Sequence, residues 1–512
     1  MSLIHANIPV FLFALVTSLL AWLYGGTIGS VNEKTVPWLM VFLLEGMLCF
    51  PQLRAGETSY VARERVWRSM RSDPLVWLVV AFLILLAIPF LNVALCPICD
   101  AALIGEGRDA APLAPFLPFC VNPHHHLNVY LWFLPALTAM LAVKHALTKG
   151  GKRLFLEMIV WNGALLAVLG FVQQITNATG PLWAKLPAGE TSGCFFSSFG
   201  YPNMAGDYFA VVFCLSVAVW MWRLASVRAE YDGADEGRKP PAHKMFWMKH
   251  YPLIPAVLTF FAALNTLSRA GILLASSAAV VLFSHASVIT LSRMKKAARV
   301  RAGAFCALSL VLIAVAASIF LPEDIRREVD TLDSKEVLDR VTGRQEWHAS
   351  TAVEIFKDNM LFGCGGWGYQ HFSPTKILDK DGYPRRIWGS GSANVHNDYL
   401  QFLAEHGAVG LLMLAAIVGF LVAPIASSWK RLSKTARFLP AKRQPPPPQS
   451  FFAFPSAAFA TLVAALLPLI HAFGDCPLRS PAILTLFFTT LAATGGFLPR
   501  DTPQVSEGSE KN

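Results

Sequence analysis

Charge is scarce in this chain. Asp, Glu, Lys and Arg together make up 15% of its 512 residues, where a soluble domain carries about 25%. The apolar residues reach 54% and the mean hydropathy is +0.47. This balance excludes an intrinsically disordered protein and argues against a large soluble enzyme. Nucleotide and zinc-protease signatures are missing as well: there is no P-loop, no glycine-rich dinucleotide fingerprint and no HExxH. No energy or redox cofactor, and no metal, is therefore expected. The net charge of +10 would suggest nucleic acid in a soluble protein. In a membrane protein it has another source, the Lys and Arg of cytoplasmic loops.

The apolar residues are gathered into blocks. A hydrocarbon core about 30 Å thick takes about 20 apolar residues per helical crossing, and twelve blocks of roughly that kind run from Ile8–Tyr24 to Pro481–Phe497. The first lacks a basic start and a small-residue cleavage site, so it reads as a retained helix rather than a signal peptide. With the N-terminus inside, the inside segments hold 28 of the 43 Lys and Arg, the short outside segments hold 5, and the long outside segment 322–407 holds the remaining 10. Long translocated loops are largely exempt from the positive-inside rule, so both termini are expected in the cytoplasm. The expected fold is all-α and polytopic, with about twelve transmembrane helices and one large, partly helical periplasmic loop. Residues 1–321 would form the first nine helices, 322–407 the loop, 408–498 the last three helices, and 499–512 a disordered tail.

Of the nine cysteines, Cys96, Cys99, Cys120, Cys194, Cys364 and Cys476 fall on outside segments, and none falls in a cytoplasmic loop. An even outside set predicts disulfides. The rival is a metal site, since Cys96, Cys99, Cys120 and His124–His126 share one loop, but its second half lacks paired ligand spacing.

Segment 322–407 is the only large polar region. Thr342 can cap a helix running to about Asn359, placing Arg344 near N-terminal amides that favour anions. A turn rich in glycine follows, with Gly363, Gly365, Gly366 and Gly368 around Trp367. Beyond the pair Arg385 and Arg386, which would either meet phosphate or acidic sugar or form a solvated face, the chain reaches Asn394-Val395-His396-Asn397-Asp398-Tyr399-Leu400. Arg269 ends a membrane block at the outer surface, which suits either a lipid phosphate or a snorkelling anchor. His396 precedes a membrane helix and suits either proton transfer or a structural cap.

His396-Asn397-Asp398-Tyr399-Leu400 followed by Leu403–Gly407 and Gly410-Leu411-Leu412 resembles the signature of the O-antigen ligase and polymerase superfamily. Gly343-Arg344 with Trp347, Leu361-Phe362-Gly363, Thr266-Leu267-Ser268-Arg269-Ala270 and Phe199-Gly200-Tyr201-Pro202-Asn203 are similar to further family segments. One departure is Asn359-Met360, where many members have a proline. The resemblance spans about 199–412 and implies an enzyme that moves a glycan from a polyprenyl-diphosphate carrier to a lipid-anchored glycan or protein acceptor at the periplasmic face. It implies that His396 assists the acceptor hydroxyl while Arg269 and Arg344 meet the departing diphosphate. Arg385, Arg386, Asn397, Tyr399 and Asn203 join them as candidate substrate contacts, and Trp367 and Trp388 as candidate sugar platforms. Direct displacement predicts inversion. Ligase, polymerase and protein-glycosylating members share these motifs. A transporter or flippase would instead place charges at mid-membrane, for which Glu45, Glu157 and Asp207 are the candidates.

Overall fold

The computed structural model describes residues 3–27, 29–94, 112–114, 116–184, 195–231, 240–292, 300, 303, 348–376, 394–438 and 456–498. These are helical throughout, with only isolated bridges at Val93–Cys120 and Phe196–Phe199 and no strand among them. In chain order the helices are α1 (Leu3–Trp22), α2 (Gly29–Leu48), α3 (Ser59–Arg71), α4 (Pro74–Ala87), α5 (Pro123–Leu141), α6 (Lys149–Ile175), α7 (Pro202–Tyr231), α8 (Ala242–His250), α9 (Leu253–Asn265) and α10 (Arg269–Ser292). They continue with α11 (348–358), α12 (Gly368–Lys376), α13 (Asp398–Phe438), α14 (Ser456–His471) and α15 (Pro481–Thr494).

Six helical stretches are long and apolar enough to cross a membrane: Pro74–Leu91, Pro123–Ala146, Lys149–Ile175, Pro202–Tyr231, Arg269–Ile289 and Asp398–Lys430. Asn7–Trp22, Ser456–His471 and Pro481–Thr494 are apolar but shorter. One of the twelve apolar blocks, the ninth, over 302–321, lies outside the described residues, apart from Gly303. The inside segment 51–74, between the second and third apolar blocks, contains α3. Ala62, Val66 and Met70 recur every four residues and are buried, while Arg63, Arg68 and Arg71 face outward, the pattern of a helix lying along a surface.

Helix starts follow local chemistry. Thr58, Asp73, Asn122 and Thr148 each accept a backbone N–H from the first turn of α3, α4, α5 and α6, and proline occupies the first position of α4 and α5, where its missing N–H costs nothing. Every residue of α7 from Met204 to Val219 is buried, as expected of a helix apolar on all sides. It packs against α6, α9, α10 and α14. At its contact with α10, a Cβ on Gly206 would come within 2.8 Å of the Gly271 Cα, a small-residue crossing of the kind that lets membrane helices approach closely. The crossing fixes the α9–α10 hairpin, whose Leu267 takes a left-handed backbone (φ 55°).

A backbone seam joins the glycine turn to α13. Cys364 and Gly365 N–H donate to the carbonyls of Ala404 and Glu405, at 3.0 and 2.8 Å, and Ala408 and Val409 N–H donate to those of Met360 and Leu361, at 2.9 and 3.1 Å. α13 is broken inside this seam at Gly407 (φ 65°, ψ −173°). A Cβ there would collide with the Leu361 carbonyl, and one on Gly363 with the Glu405 backbone. Gly407→Ala is expected to cost at least about 1–3 kcal/mol from the strained φ alone. A thermal melt of the detergent-solubilised chain measures it, and an unchanged midpoint would contradict the seam.

Candidate functional site

The site lies where the end of the polar segment meets the α14–α15 turn and the α9–α10 hairpin. His396 stands two residues before α13 in a left-handed backbone (φ 55°), a conformation uncommon for a residue with a side chain. Its neighbours hold it there. Val395 is buried in a small apolar cluster with Phe119, Ile355, Tyr369 and Ala404, and Val395 N–H donates to Gln401 Oε1 at 2.9 Å. Asp398 N–H donates to the Ala472 carbonyl, and Leu478 N–H donates to Asp398 Oδ2.

This anchoring brings His396 Nδ1 to 2.9 Å from Asp475 Oδ1. Because a carboxylate only accepts, the Nδ1 proton points to Asp475 and the neutral imidazole presents the Nε2 lone pair. Asp475 is 4% exposed. Its second oxygen accepts from Asn203 Nδ2 at 2.6 Å and from the Tyr201 hydroxyl at 3.2 Å. Ser268 Oγ in turn donates to Asn203 Oδ1 at 2.7 Å. Burial pushes the Asp475 carboxyl up, but the His396 hydrogen bond, the His471 charge and the Asn203 amide outweigh it and hold the group down at about 2. Asp475 is therefore a carboxylate throughout the working range. The Tyr201 phenol is pushed up by burial and by that negative charge, so it remains a donor.

The structure thus joins two of the sequence-predicted positions, His396 and Asn203, through a residue that sequence reading missed. The Asn203 amide holds Asp475, so its contacts are those of a positioning residue. Arg269 is the first residue of α10, directly after Ser268, and is half-buried. Asn397 Oδ1 accepts from Leu400 N–H and its Nδ2 donates to the Phe473 carbonyl. Tyr399 donates its hydroxyl to the Leu469 carbonyl at 2.7 Å and packs on Phe473. The two side chains fasten the start of α13 to the end of α14 and to the turn after it. Trp367 packs edge-on against Trp132 and lies under Arg479. Arg344, Arg385, Arg386 and Trp388 lie outside the described residues.

His348 also went unnoticed. Its ring lies 6.3 Å from that of His396, and its Nδ1 is 2.8 Å from the buried Tyr369 hydroxyl. A third missed residue is Arg479, in the turn before α15. It donates to Glu405 Oε2 at 2.6 Å, stands 3.9 Å from Asp398 and lies over Trp367 and Trp132. Two charged residues in one short turn between apolar helices were the signal for Asp475 and Arg479, since such groups are expensive inside a membrane protein unless paired. Beside Arg479 opens a cavity of about 310 Å³, lined by Trp132, Phe402, Leu411, Val418, Leu484 and Phe488 among others, with Asp398, Tyr399, Glu405 and His406 as its other ionisable lining.

His396, Asp475 and Cys476 are the one group of three metal-type donors among the described residues, within 4.8 Å of one another. They are already committed to each other. Asp475 Oδ1 accepts from both His396 and, at 3.4 Å, the Cys476 thiol, which burial and two neighbouring carboxylates keep protonated. In this arrangement the three groups form a hydrogen-bonded network. The disulfide expectation needs correction at three positions: Cys120, Cys364 and Cys476 are buried free thiols. Cys120 is turned toward the Pro89 carbonyl at 3.2 Å and Cys476 toward Asp475. Cys96, Cys99 and Cys194 lie outside the described residues.

Residues 254–415 match the model of a family described as O-Antigen ligase. The match takes in the α9–α10 hairpin, the glycine turn and the His396 segment. No curated protein matches the chain.

Proposed function

We propose, from the O-antigen ligase region that residues 254–415 carry, that this multi-pass membrane protein is a glycosyltransferase. In this reading it moves a glycan from a polyprenyl-diphosphate carrier to an acceptor such as a lipid A-core, at the periplasmic face of the inner membrane. The observation that carries the reading is His396 held by a buried, ionised Asp475, with the Arg269 hairpin fastened to the same carboxylate through Ser268 and Asn203.

The acceptor hydroxyl gives its proton to His396 Nε2 as its oxygen bonds to the anomeric carbon. The bond from that carbon to the diphosphate oxygen breaks, and its electron pair leaves with the diphosphate. Asp475 fixes the imidazole orientation and stabilises the imidazolium that forms. Arg269 and Arg344 meet the charge that develops on the leaving group, a role that suits a planar, permanently charged guanidinium. One displacement inverts the anomeric configuration. The apolar cavity suits part of an isoprenoid chain, which supports a lipid-borne donor over a soluble sugar nucleotide.

His396→Ala is expected to abolish transfer, by at least about 10²–10⁴-fold, with the chain still present in membranes. Arg269→Lys should retain more activity than Arg269→Ala. Gel profiles of surface glycans from a deletion strain complemented with each variant measure this. Loss of long chains from the lipid anchor marks a ligase, and single capped repeats mark a polymerase. Altered glycoproteins with an unchanged lipid profile mark a protein oligosaccharyltransferase. A wild-type profile with His396→Ala would refute the reading.

A further inference from the structure

Behind Asp475, the site continues into the helix bundle. His471, the last residue of α14, places Nε2 3.9 Å from Asp475 Oδ2 and Nδ1 3.5 Å from Asp207 Oδ1. Asp207 is in the second turn of α7 and is 0% exposed. Neither of its oxygens accepts a hydrogen bond from the described residues, and His471 is its ion-pair partner among them. A lone carboxylate inside a membrane bundle costs several kcal/mol, so its presence marks a function and its partner is part of that function. The four side chains form a row in which carboxyl and imidazole groups alternate: Asp207, His471, Asp475, His396. The other ionisable groups near this row are Asp398 and Arg479 on the α13 side, Tyr201 and Cys476 beside Asp475, and Cys214, about two turns along α7 from Asp207.

We propose that Asp207 and His471 are positioning residues for glycan transfer: Asp207 stands against one side of the buried His471 ring, the other side of that ring stands against the second carboxylate oxygen of Asp475, and Asp475 thereby orients His396. This rests on the proposed function and deepens it. Asp475 otherwise takes neutral donors at that oxygen, from Asn203 and Tyr201. Among the groups that hold this buried carboxylate ionised, the His396 hydrogen bond, the His471 charge and the Asn203 amide, His471 is the charged one at the oxygen that His396 does not use. The support acts when the proton arrives on His396, so it belongs to the transition state and not to substrate binding. The alternating row also explains why α7, otherwise apolar on every side, carries an acid at this height.

The test is a mutant cycle in the full-length chain, in membranes from a deletion strain. The donor is the polyprenyl-diphosphate glycan that this strain accumulates, and the acceptor is its own unglycosylated surface lipid. Asp207→Asn and His471→Gln are each expected to lower kcat by about 10–100-fold, as for loss of a buried partner at ion-pair distance, with KM unchanged. In an Asp475→Asn background neither should lower it further, because they act only through Asp475. Thermal melts of the same variants separate this from damage to folding: a merely structural role predicts lower melting temperatures and additive losses in the Asp475→Asn background. Asp207→Glu, which restores a carboxylate, should recover part of kcat. Wild-type kcat in Asp207→Asn and His471→Gln, or losses that add to that of Asp475→Asn, would overturn the proposal while leaving the transferase reading intact. Wild-type transfer by His396→Ala and Asp475→Asn would instead overturn the transferase reading itself.

Discussion

Asp475→Asn is expected to lower glycan transfer by about 10³–10⁴-fold, the scale seen when an amide replaces the carboxylate that orients a catalytic histidine. The reason is geometric before it is electrostatic. Asp475 Oδ1 accepts the Nδ1 proton of His396 at 2.9 Å. An asparagine satisfies Asn203 and Tyr201 with its oxygen and then turns its NH₂ toward His396. The imidazole must answer with a lone pair on Nδ1, which moves the proton to Nε2 and leaves no base for the acceptor hydroxyl. Single-turnover transfer in membranes measures the effect, with chain abundance as the control. Wild-type turnover would remove Asp475 from the mechanism. The same substitution carries a stability signature of known sign. The folded carboxyl titrates at about 2 against an ordinary 3.8, so its contribution, of order 2 kcal/mol, is fully present above pH about 4 and lost as the pH falls toward 2. In Asp475→Asn that part of the acid sensitivity should be absent.

The second large effect is on folding. Arg479→Met is expected to destabilise the protein by about 3–5 kcal/mol, because it leaves Glu405 and Asp398 buried without their cation. Glu405 is 1% exposed and Asp398 7%. Arg479 Nη2 reaches Glu405 at 2.6 Å, while Gln401 Nε2 donates to the other Glu405 oxygen at 3.0 Å. Glu405 also lies within the backbone seam, so an uncompensated charge there loosens the glycine turn and α13 together. Removing the charge as well, in Arg479→Met with Glu405→Gln, should recover part of the loss. Differential scanning fluorimetry of the solubilised chain distinguishes the two variants. An Arg479→Met melting temperature within about 1 °C of wild type would show that the pair carries no folding energy.

Hydrophobic blocks locate most of the described helices because membrane crossings need long apolar runs, and a run is legible in one dimension. α3 was missed since its buried positions are only three and its charge is high. α9 is shorter than a full crossing, with 13 residues, which block counting does not resolve. Within the site, the motif residue His396 was legible and its partner was not. Asp475 is 79 positions away in sequence, and a charge in the turn Gly474-Asp475-Cys476 says that a partner is needed but not which residue it is. Asn203 was singled out for the right neighbourhood, yet its amide is turned to Asp475 and Ser268. Tyr399 and Trp367 look like sugar platforms as residue types, but a hydroxyl bound to the Leu469 carbonyl and a ring packed on Arg479 and Trp132 show them holding the site together. Such commitments are three-dimensional and leave no trace in spacing.

The seam between residues 360–365 and 404–409 is made of main-chain atoms, and main-chain atoms are the same for every amino acid. It therefore demands almost nothing of the side chains along it beyond the two glycines whose missing Cβ lets the two stretches of chain meet. His396 is anchored by other contacts, through Val395, Asp398 and the turn before α15. Side chains along the seam can therefore be exchanged without breaking its four main-chain hydrogen bonds, provided the two glycines stay. How closely the glycine turn and α13 approach each other is set by a pair of residues with no side chain.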